Sequence, residues 1–114
     1  MADSLKIALA QLNPTVGDID GNVTKARAAR AEASRLGADL VLFSELFLIG
    51  YPPEDLVLKP SFQRAVDAAL ASLAEDTSDG GPAYLIGAPT REGEALYNSV
   101  VLIDGGRIVG RRHK

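Results

Sequence analysis

Residues 38 to 51 read Ala38-Asp-Leu-Val-Leu-Phe-Ser-Glu45-Leu-Phe-Leu-Ile-Gly-Tyr51. The apolar run in the first half of this stretch predicts a buried β-strand over Ala38–Ser44. Glu45 follows the strand and has large apolar neighbours on both sides, where an ionised carboxylate is costly to bury unless it is paired. We expect a pocket of low dielectric to raise the pKa of Glu45 and suit it to proton transfer near neutral pH. The alternative is that Glu45 is the solvated end of a strand.

The residues before this stretch predict one strand and one helix. The strand covers Leu5–Leu12, and its apolar composition predicts a central place in a sheet. The helix runs to Leu36, with Asp20 as its N-cap and Gly37 at its C-terminal end. A strand-helix-strand unit therefore opens the chain, and its crossover should be right-handed.

The second half of the chain predicts another helix and three strands. A short helical turn begins at Pro53, and Ser61 is a suitable N-cap for a helix that runs to about Glu75 with apolar residues at helical spacing. A polar, Gly-rich linker leads to strands over Ala83–Ala88, Leu96–Ile103 and Arg107–Arg112. The last two strands are joined by Asp104-Gly105-Gly106, which is a strong hairpin signal.

These elements predict an α/β fold with a mixed sheet that is incomplete in this chain. Two helices cannot cover both faces of a five-stranded sheet, and apolar sheets of this kind need cover on their faces and protection at their edges. We therefore expect the 114 residues to be part of a larger layered domain. The alternative is a complete small α+β domain with one exposed sheet face.

The composition is that of an ordinary globular domain, with 46% hydrophobic and 24% charged residues and a net charge of −3. It lacks the clustered basic charge of a nucleic-acid surface and an apolar segment long enough for a membrane span, so neither partner is expected. No signal-peptide pattern is present, which leads us to expect a cytoplasmic protein. The absence of cysteine excludes a disulfide and a thiol nucleophile within these residues.

Several segments resemble the nitrilase, or carbon-nitrogen hydrolase, superfamily. They are Leu9-Ala-Gln-Leu-Asn-Pro-Thr-Val-Gly-Asp18, Gly21-Asn22 and Ser44-Glu-Leu-Phe-Leu-Ile-Gly-Tyr-Pro-Pro-Glu-Asp-Leu56. The parts from Asn13 to Asp18 and from Tyr51 to Leu56 are more narrowly similar to the glutaminase domain of glutamine-dependent NAD+ synthetases. Asn98-Ser-Val-Val-Leu-Ile103 and the basic strand that ends in Lys114 also match. The resemblance implies that residues 1–114 are the N-terminal part of such a domain, with no second domain in this chain.

This resemblance implies an α-β-β-α sandwich with a Glu-Lys-Cys catalytic triad. Glu45 matches the glutamate that acts as general base, and Lys114 matches the lysine that stabilises negative charge on the tetrahedral intermediate. The cysteine nucleophile is expected beyond residue 114, where it would attack the amide of glutamine and release ammonia. Tyr51, by its position after the glutamate, is predicted to border the substrate pocket; alternatively it is a packed aromatic whose hydroxyl caps a loop.

The resemblance also implies a second domain, absent from this chain, that would use ATP and Mg2+ to adenylate deamido-NAD+. We expect small-molecule substrates for the complete protein and assembly into a homo-oligomer. Within this chain no cofactor is expected, since it has no Gly-rich pyrophosphate-binding loop. No metal site is expected either, because His113 is the single histidine and Asp18 and Asp20 lack further calcium ligands at suitable spacing.

Two other functions stay open at the level of sequence. One is a stand-alone amidase or nitrilase of the same superfamily that acts on another amide. The other is a non-catalytic module that packs against partners. If the complete protein is an NAD+ synthetase, the isolated 114-residue chain is expected to be inactive, because the nucleophile is missing.

Overall fold

The computed structural model describes residues 4–53 and 59–114. The order of the elements in these ranges is strand, helix, strand, helix and three strands, which confirms the predicted order. The elements are β1 (Ile7–Leu9), α1 (Ile19–Arg35), β2 (Leu40–Leu42), α2 (Pro60–Asp76), a 3₁₀ turn (Thr77–Asp79), β3 (Ala83–Glu92), β4 (Ala95–Asp104) and β5 (Arg107–His113). The predicted helical turn after Pro53 falls on residues 54–58, outside the described residues.

The five strands form one mixed sheet in the order β1-β2-β3-β4-β5. β1, β2 and β3 pair in parallel, whereas β3, β4 and β5 pair antiparallel. The predicted hairpin is confirmed: Asp104 pairs with Arg107, and Gly105 and Gly106 between them have φ of +60° and +84°. A two-residue turn with positive φ at both positions favours glycine strongly.

The prediction of a central first strand is wrong for the described sheet. β1 has three residues and forms an edge, next to β2 only. Its apolar composition comes from side chains such as Ile7 and Leu9 that lie on an open face of the sheet and stay exposed. An apolar strand therefore indicates here a surface that the described residues leave uncovered.

The two predicted helix N-caps are also wrong, each by two residues. Asp18 caps α1, since its carboxylate accepts a hydrogen bond of 3.0 Å from the backbone N of Gly21, and Asp20 lies within the first turn. α2 begins at Pro60, before Ser61, with Lys59 at the N-cap and no side-chain cap hydrogen bond. Proline suits a first helical position because its φ is already helical and it lacks the N–H that would have no partner there.

Both helices pack on the same face of the sheet. Buried residues of α1 and α2 join those of the strands in one apolar cluster, which includes Val23, Ala26, Val66, Leu70, Leu73, Val41, Ile86, Val101 and Ile103. Arg30 also holds α1 to the start of β3, because it donates to the carbonyl of Pro82 at 2.7 Å and binds the carboxylate of Asp79. The Arg30 guanidinium, helped by the backbone N–H of Gly81, lowers the pKa of Asp79 to about 2.

The opposite face of the sheet is apolar and only partly covered. Alternate strand residues point to this face and are half-buried, namely Leu40, Leu42, Leu85, Val100 and Leu102. Their neighbours along the strands point to the helix side and are buried. This open face agrees with the expectation of an incomplete layered domain. No helix within residues 4–53 and 59–114 is long and apolar enough to cross a membrane.

Candidate active site

Glu45 lies in a compact turn that follows β2 and returns across β3. The backbone N of Phe43 donates to the carbonyl of Leu85 at 2.9 Å, and the N of Leu48 donates to the carbonyl of Gly87 at 3.0 Å. These two hydrogen bonds fix both sides of the turn to β3, so the position of Glu45 is set by a neighbouring strand as well as by its own.

Gly87 is the point at which the turn touches the sheet. A Cβ at this position would overlap the backbone N of Leu46 and lie 2.7 Å from the carbonyl oxygen of Ser44. Leu46 itself has φ of +51°, a left-handed conformation that a leucine seldom adopts. This conformation persists because the turn is anchored by buried side chains, namely those of Leu46, Phe47, Leu48 and Ile49.

A fully buried amide, that of Asn22 on α1, ties this turn to the loop before the helix. Its Oδ1 accepts from the N of Thr15 at 2.8 Å, and its Nδ2 donates to the carbonyls of Thr15 at 2.8 Å and Leu48 at 3.1 Å. The backbone N of Gly17 adds a bond of 2.9 Å to the carbonyl of Ile49. Asn22 appears in the sequence motif, but its contact with the turn depends on the tertiary fold.

Lys114, directly after β5, meets Glu45. Its Nζ donates a hydrogen bond of 2.9 Å to Oε1 of Glu45, and its backbone N donates to the carbonyl of Asn98 at 2.8 Å. The two side chains are 70% and 41% exposed, respectively. They lie on a cavity of about 400 Å³ that is also lined by Phe43, Ser44, Gly87, Asn98, Ser99, Val100, Arg112 and His113. The structure thus brings both predicted catalytic residues to one cavity.

The predicted rise in the pKa of Glu45 is wrong. The hydrogen bond from Lys114 lowers the pKa of Glu45; partial desolvation opposes this effect, and the amide of Asn98 adds to it. Glu45 in turn raises the pKa of Lys114. The prediction failed because the apolar neighbours of Glu45 in sequence point into the core, while an ammonium group lies beside its carboxylate. Both groups are therefore charged at neutral pH, which leaves Glu45 in the form that accepts a proton.

Tyr51 is 62% exposed. It is not among the described residues that line the cavity of Glu45 and Lys114, although it makes a small electrostatic contribution to the pKa of Lys114. Its place beside a substrate stays a prediction.

Other residues at this cavity were missed by sequence reasoning. The sequence placed Asn98 in a strand and in a segment that matches the family but gave it no role, and it indicated for His113 only that it is an unsuitable metal ligand. In the fold, His113 contacts Ser99 and Glu92 through its two ring nitrogens. A signal was present, because the Gly-Gly hairpin fixes which residues of β4 and β5 face each other. No group of three or more His, Cys, Asp or Glu side chains in the described part of the chain is placed to hold a metal ion.

A sequence profile of carbon-nitrogen hydrolases matches residues 6–114. The chain belongs to the carbon-nitrogen hydrolase family. Solved structures of similar fold include glutamine-dependent NAD+ synthetase from Acinetobacter baumannii in complex with ADP, at a TM-score of 0.89 and 34% identity over 96% of this chain and 20% of that one. An amidase from Nesterenkonia sp. has a TM-score of 0.85 and 33% identity over 96% of this chain and 42% of that one. These likenesses support the predicted nitrilase-like fold.

The curated relatives of this carbon-nitrogen hydrolase chain are much longer. This chain is 46% identical over 114 residues to glutamine-dependent NAD(+) synthetase of Rhodobacter capsulatus. The alignment covers 100% of this chain and 20% of that protein. The chain therefore spans about one fifth of the length of the relatives that it matches.

Proposed function

We propose that residues 1–114 are the N-terminal part of the glutaminase domain of a glutamine-dependent NAD+ synthetase. The observation that carries this proposal is the contact of 2.9 Å between Lys114 and Glu45 on one cavity, which supplies a base and a cation at the same place. The similarity to the Rhodobacter capsulatus synthetase over the whole chain supports the choice of reaction.

Glu45 is the general base of this proposed reaction. Its carboxylate takes the proton of a cysteine thiol, and the thiolate attacks the carboxamide carbon of glutamine. The carbon–nitrogen bond then breaks as Glu45 returns the proton to the nitrogen. Ammonia is released, and a glutamyl thioester remains on the cysteine. Glu45 next takes a proton from water, whose oxygen attacks the thioester. The carbon–sulfur bond breaks, glutamate is released, and Glu45 returns its proton to the cysteine thiolate.

The cysteine of this proposal lies outside residues 1–114, since these contain none. In a variant of the Nesterenkonia amidase, acrylamide is added at the active site cysteine. That observation on a protein of the same fold supports a thiol as the nucleophile.

Lys114 stabilises the negative charge that develops on the carbonyl oxygen. An ammonium group has three protons, and the contact with Glu45 uses one of them. Its other protons are available to form hydrogen bonds with the oxyanion. Fixed donors at this position supply a large part of the rate enhancement in reactions of this kind. Tyr51 borders the glutamine pocket in this proposal, because its exposed side chain follows the Glu45 turn and contributes to the electrostatics of Lys114.

The rest of the complete protein would carry the ligase reaction. Within residues 4–53 and 59–114 no group of three or more His, Cys, Asp or Glu side chains is placed to hold a metal ion. We assign ATP and Mg2+ to a second domain that amidates deamido-NAD+ with the ammonia released here. The open apolar face of the sheet would be covered by a second sheet of the same domain, as in an α-β-β-α sandwich. We also propose that the complete protein is a cytoplasmic homo-oligomer.

A stand-alone amidase that acts on another amide is the second candidate. It is favoured by the Nesterenkonia amidase, of which this chain covers 42% at a TM-score of 0.85. A non-catalytic module is less consistent with the charged pair on an open cavity.

The test is Glu45→Gln in the complete protein, with two nitrogen sources supplied separately. Glutamine-driven formation of NAD+ should be abolished because the base is gone, whereas formation with added ammonia should persist. Glu94→Gln removes an exposed carboxylate elsewhere and serves as the control. Normal glutamine-driven turnover in Glu45→Gln would contradict the proposal, and hydrolysis of an amide without any NAD+ formation would favour the amidase.

A further inference from the structure

His113, the residue before Lys114, has partners at both ring nitrogens. Nδ1 lies 2.9 Å from Oγ of Ser99, and Nε2 lies 2.6 Å from Oε2 of Glu92. Ser99 in turn lies 2.6 Å from the hydroxyl of Thr90. The chain of contacts therefore runs from Thr90 through Ser99 and His113 to Glu92 and joins β3, β4 and β5 at one end of the sheet.

The carboxylate end of this series fixes one donor. A carboxylate only accepts, so Nε2 of His113 donates to Glu92. Nδ1 and the hydroxyl of Ser99 form the second contact, and Ser99 also contacts the hydroxyl of Thr90. Both ring nitrogens therefore have a partner, which holds the imidazole in one orientation.

Packing holds the same ring. Tyr97 stacks on His113 with ring centroids 4.0 Å apart and an angle of 13° between the planes. Ser99 and Thr90 are each 4% exposed, so the hydroxyl half of the chain is buried. A buried and satisfied polar network is more rigid than the exposed end of a strand would otherwise be.

Among the described residues, few contacts hold the side chain of the neighbouring Lys114. Its side chain is 70% exposed, and its contacts are the backbone bond to Asn98 and the pair with Glu45. A long exposed lysine loses considerable rotamer entropy when it is held in one place, and an exposed ion pair contributes little by itself. Among the described residues, the strand that carries Lys114 is therefore what places its ammonium group beside Glu45.

We propose that His113 is a positioning residue, which locks the end of β5 through Ser99, Glu92 and Tyr97 and so keeps the ammonium of Lys114 beside the carboxylate of Glu45. This inference rests on the proposed glutaminase function and assigns a residue to it beyond the acid–base pair. Ser99 is not the nucleophile of a Ser-His-Glu site here, because its buried hydroxyl lies between Thr90 and the imidazole.

The experiment compares His113→Ala, His113→Asn and Arg111→Ala in the complete protein. The rate of glutamine hydrolysis should fall roughly 10- to 100-fold in kcat for His113→Ala, since small displacements of catalytic groups have effects of this size. The KM for glutamine should change by less than about threefold. His113→Asn keeps a polar group that can bond Ser99 and should recover part of the rate. Arg111→Ala, on the same strand and away from the cavity, should leave the rate unchanged.

The pH profile distinguishes positioning from a general loss of stability. A displaced Lys114 would no longer lower the pKa of Glu45, so the acid limb of kcat/KM should move to higher pH in His113→Ala. An unchanged kcat would overturn the proposal, and so would a lower kcat and melting temperature with the acid limb unmoved. If the wild-type protein hydrolyses no glutamine while it uses ammonia, the proposed function itself fails, whatever His113 does.

Discussion

The Nζ of Lys114 lies 2.9 Å from Oε1 of Glu45, although the two residues are 69 positions apart in sequence. Glu45 is held by the turn after β2, and Lys114 by the end of β5, so β3 and β4 lie between their strands in the sheet. The contact keeps both groups charged at neutral pH. It therefore gives the proposed reaction an ionised base and a cation at one place.

Lys114→Ala in the complete protein should lower the rate of glutamine hydrolysis by roughly 10²-fold or more, on the scale of losing an oxyanion donor. Ammonia-driven NAD+ formation should be unaffected. The acid limb of kcat/KM should also move to higher pH, because the main cause of the lowered pKa of Glu45 is removed.

Lys114→Arg is the matched variant for this prediction. It keeps the charge, but a wide planar guanidinium cannot replace a compact ammonium in the same space, so it should not restore the rate. A fully active arginine variant would mean that Lys114 only anchors the surface.

Gly87→Ala should displace the Glu45 turn, because the new methyl group would overlap the backbone of Leu46 and press on Ser44. We expect a loss of about 1–3 kcal/mol in the free energy of unfolding, as in other overpacked sites, together with a lower kcat for glutamine. Gly110→Ala in β5 is the control, since a Cβ there meets no atom within 4 Å. Equal stability and activity of the two variants would show that the close approach is unimportant.

Asn22→Ala should destabilise the protein by roughly 2–3 kcal/mol, since it leaves the backbone groups of Thr15 and Leu48 without their buried partner. Asn22→Asp should do no better, because a carboxylate cannot donate to the two carbonyls. Chemical denaturation measures both effects. A change within about 0.5 kcal/mol for Asn22→Ala, the range of ordinary surface substitutions, would refute this role.

The isolated 114-residue chain should hydrolyse no glutamine, because it has no cysteine. It should also bind hydrophobic dyes or self-associate, because β1 and one face of the sheet expose apolar groups such as Ile7 and Leu9, and Leu5 before β1 is exposed as well. Dye fluorescence and sedimentation measure these properties. A monomer with a cooperative, two-state melt would instead support a complete small domain.

The order of the elements could be predicted from the sequence because it depends on local patterns. Hydrophobic periodicity identified both helices, and Gly105-Gly106 identified the last hairpin. Boundaries were less predictable because they depend on partners. β3 was predicted to end at Ala88 but continues to Glu92, since β4 pairs with it throughout this range. Pro60, and not a capping side chain, determined the start of α2.

For the candidate site, the sequence by itself determined which residues are proposed to carry the chemistry. The motif around Glu45 and the basic strand ending in Lys114 were sufficient to nominate both residues and the family. Only the tertiary structure decided that they touch, that the pKa of Glu45 is lowered, and that Gly87 supports the turn beneath it. The reason is physical: a pKa and a close contact depend on atoms brought together through space. Lys114, Gly87 and Glu45 are distant in sequence, and local patterns report only on near neighbours.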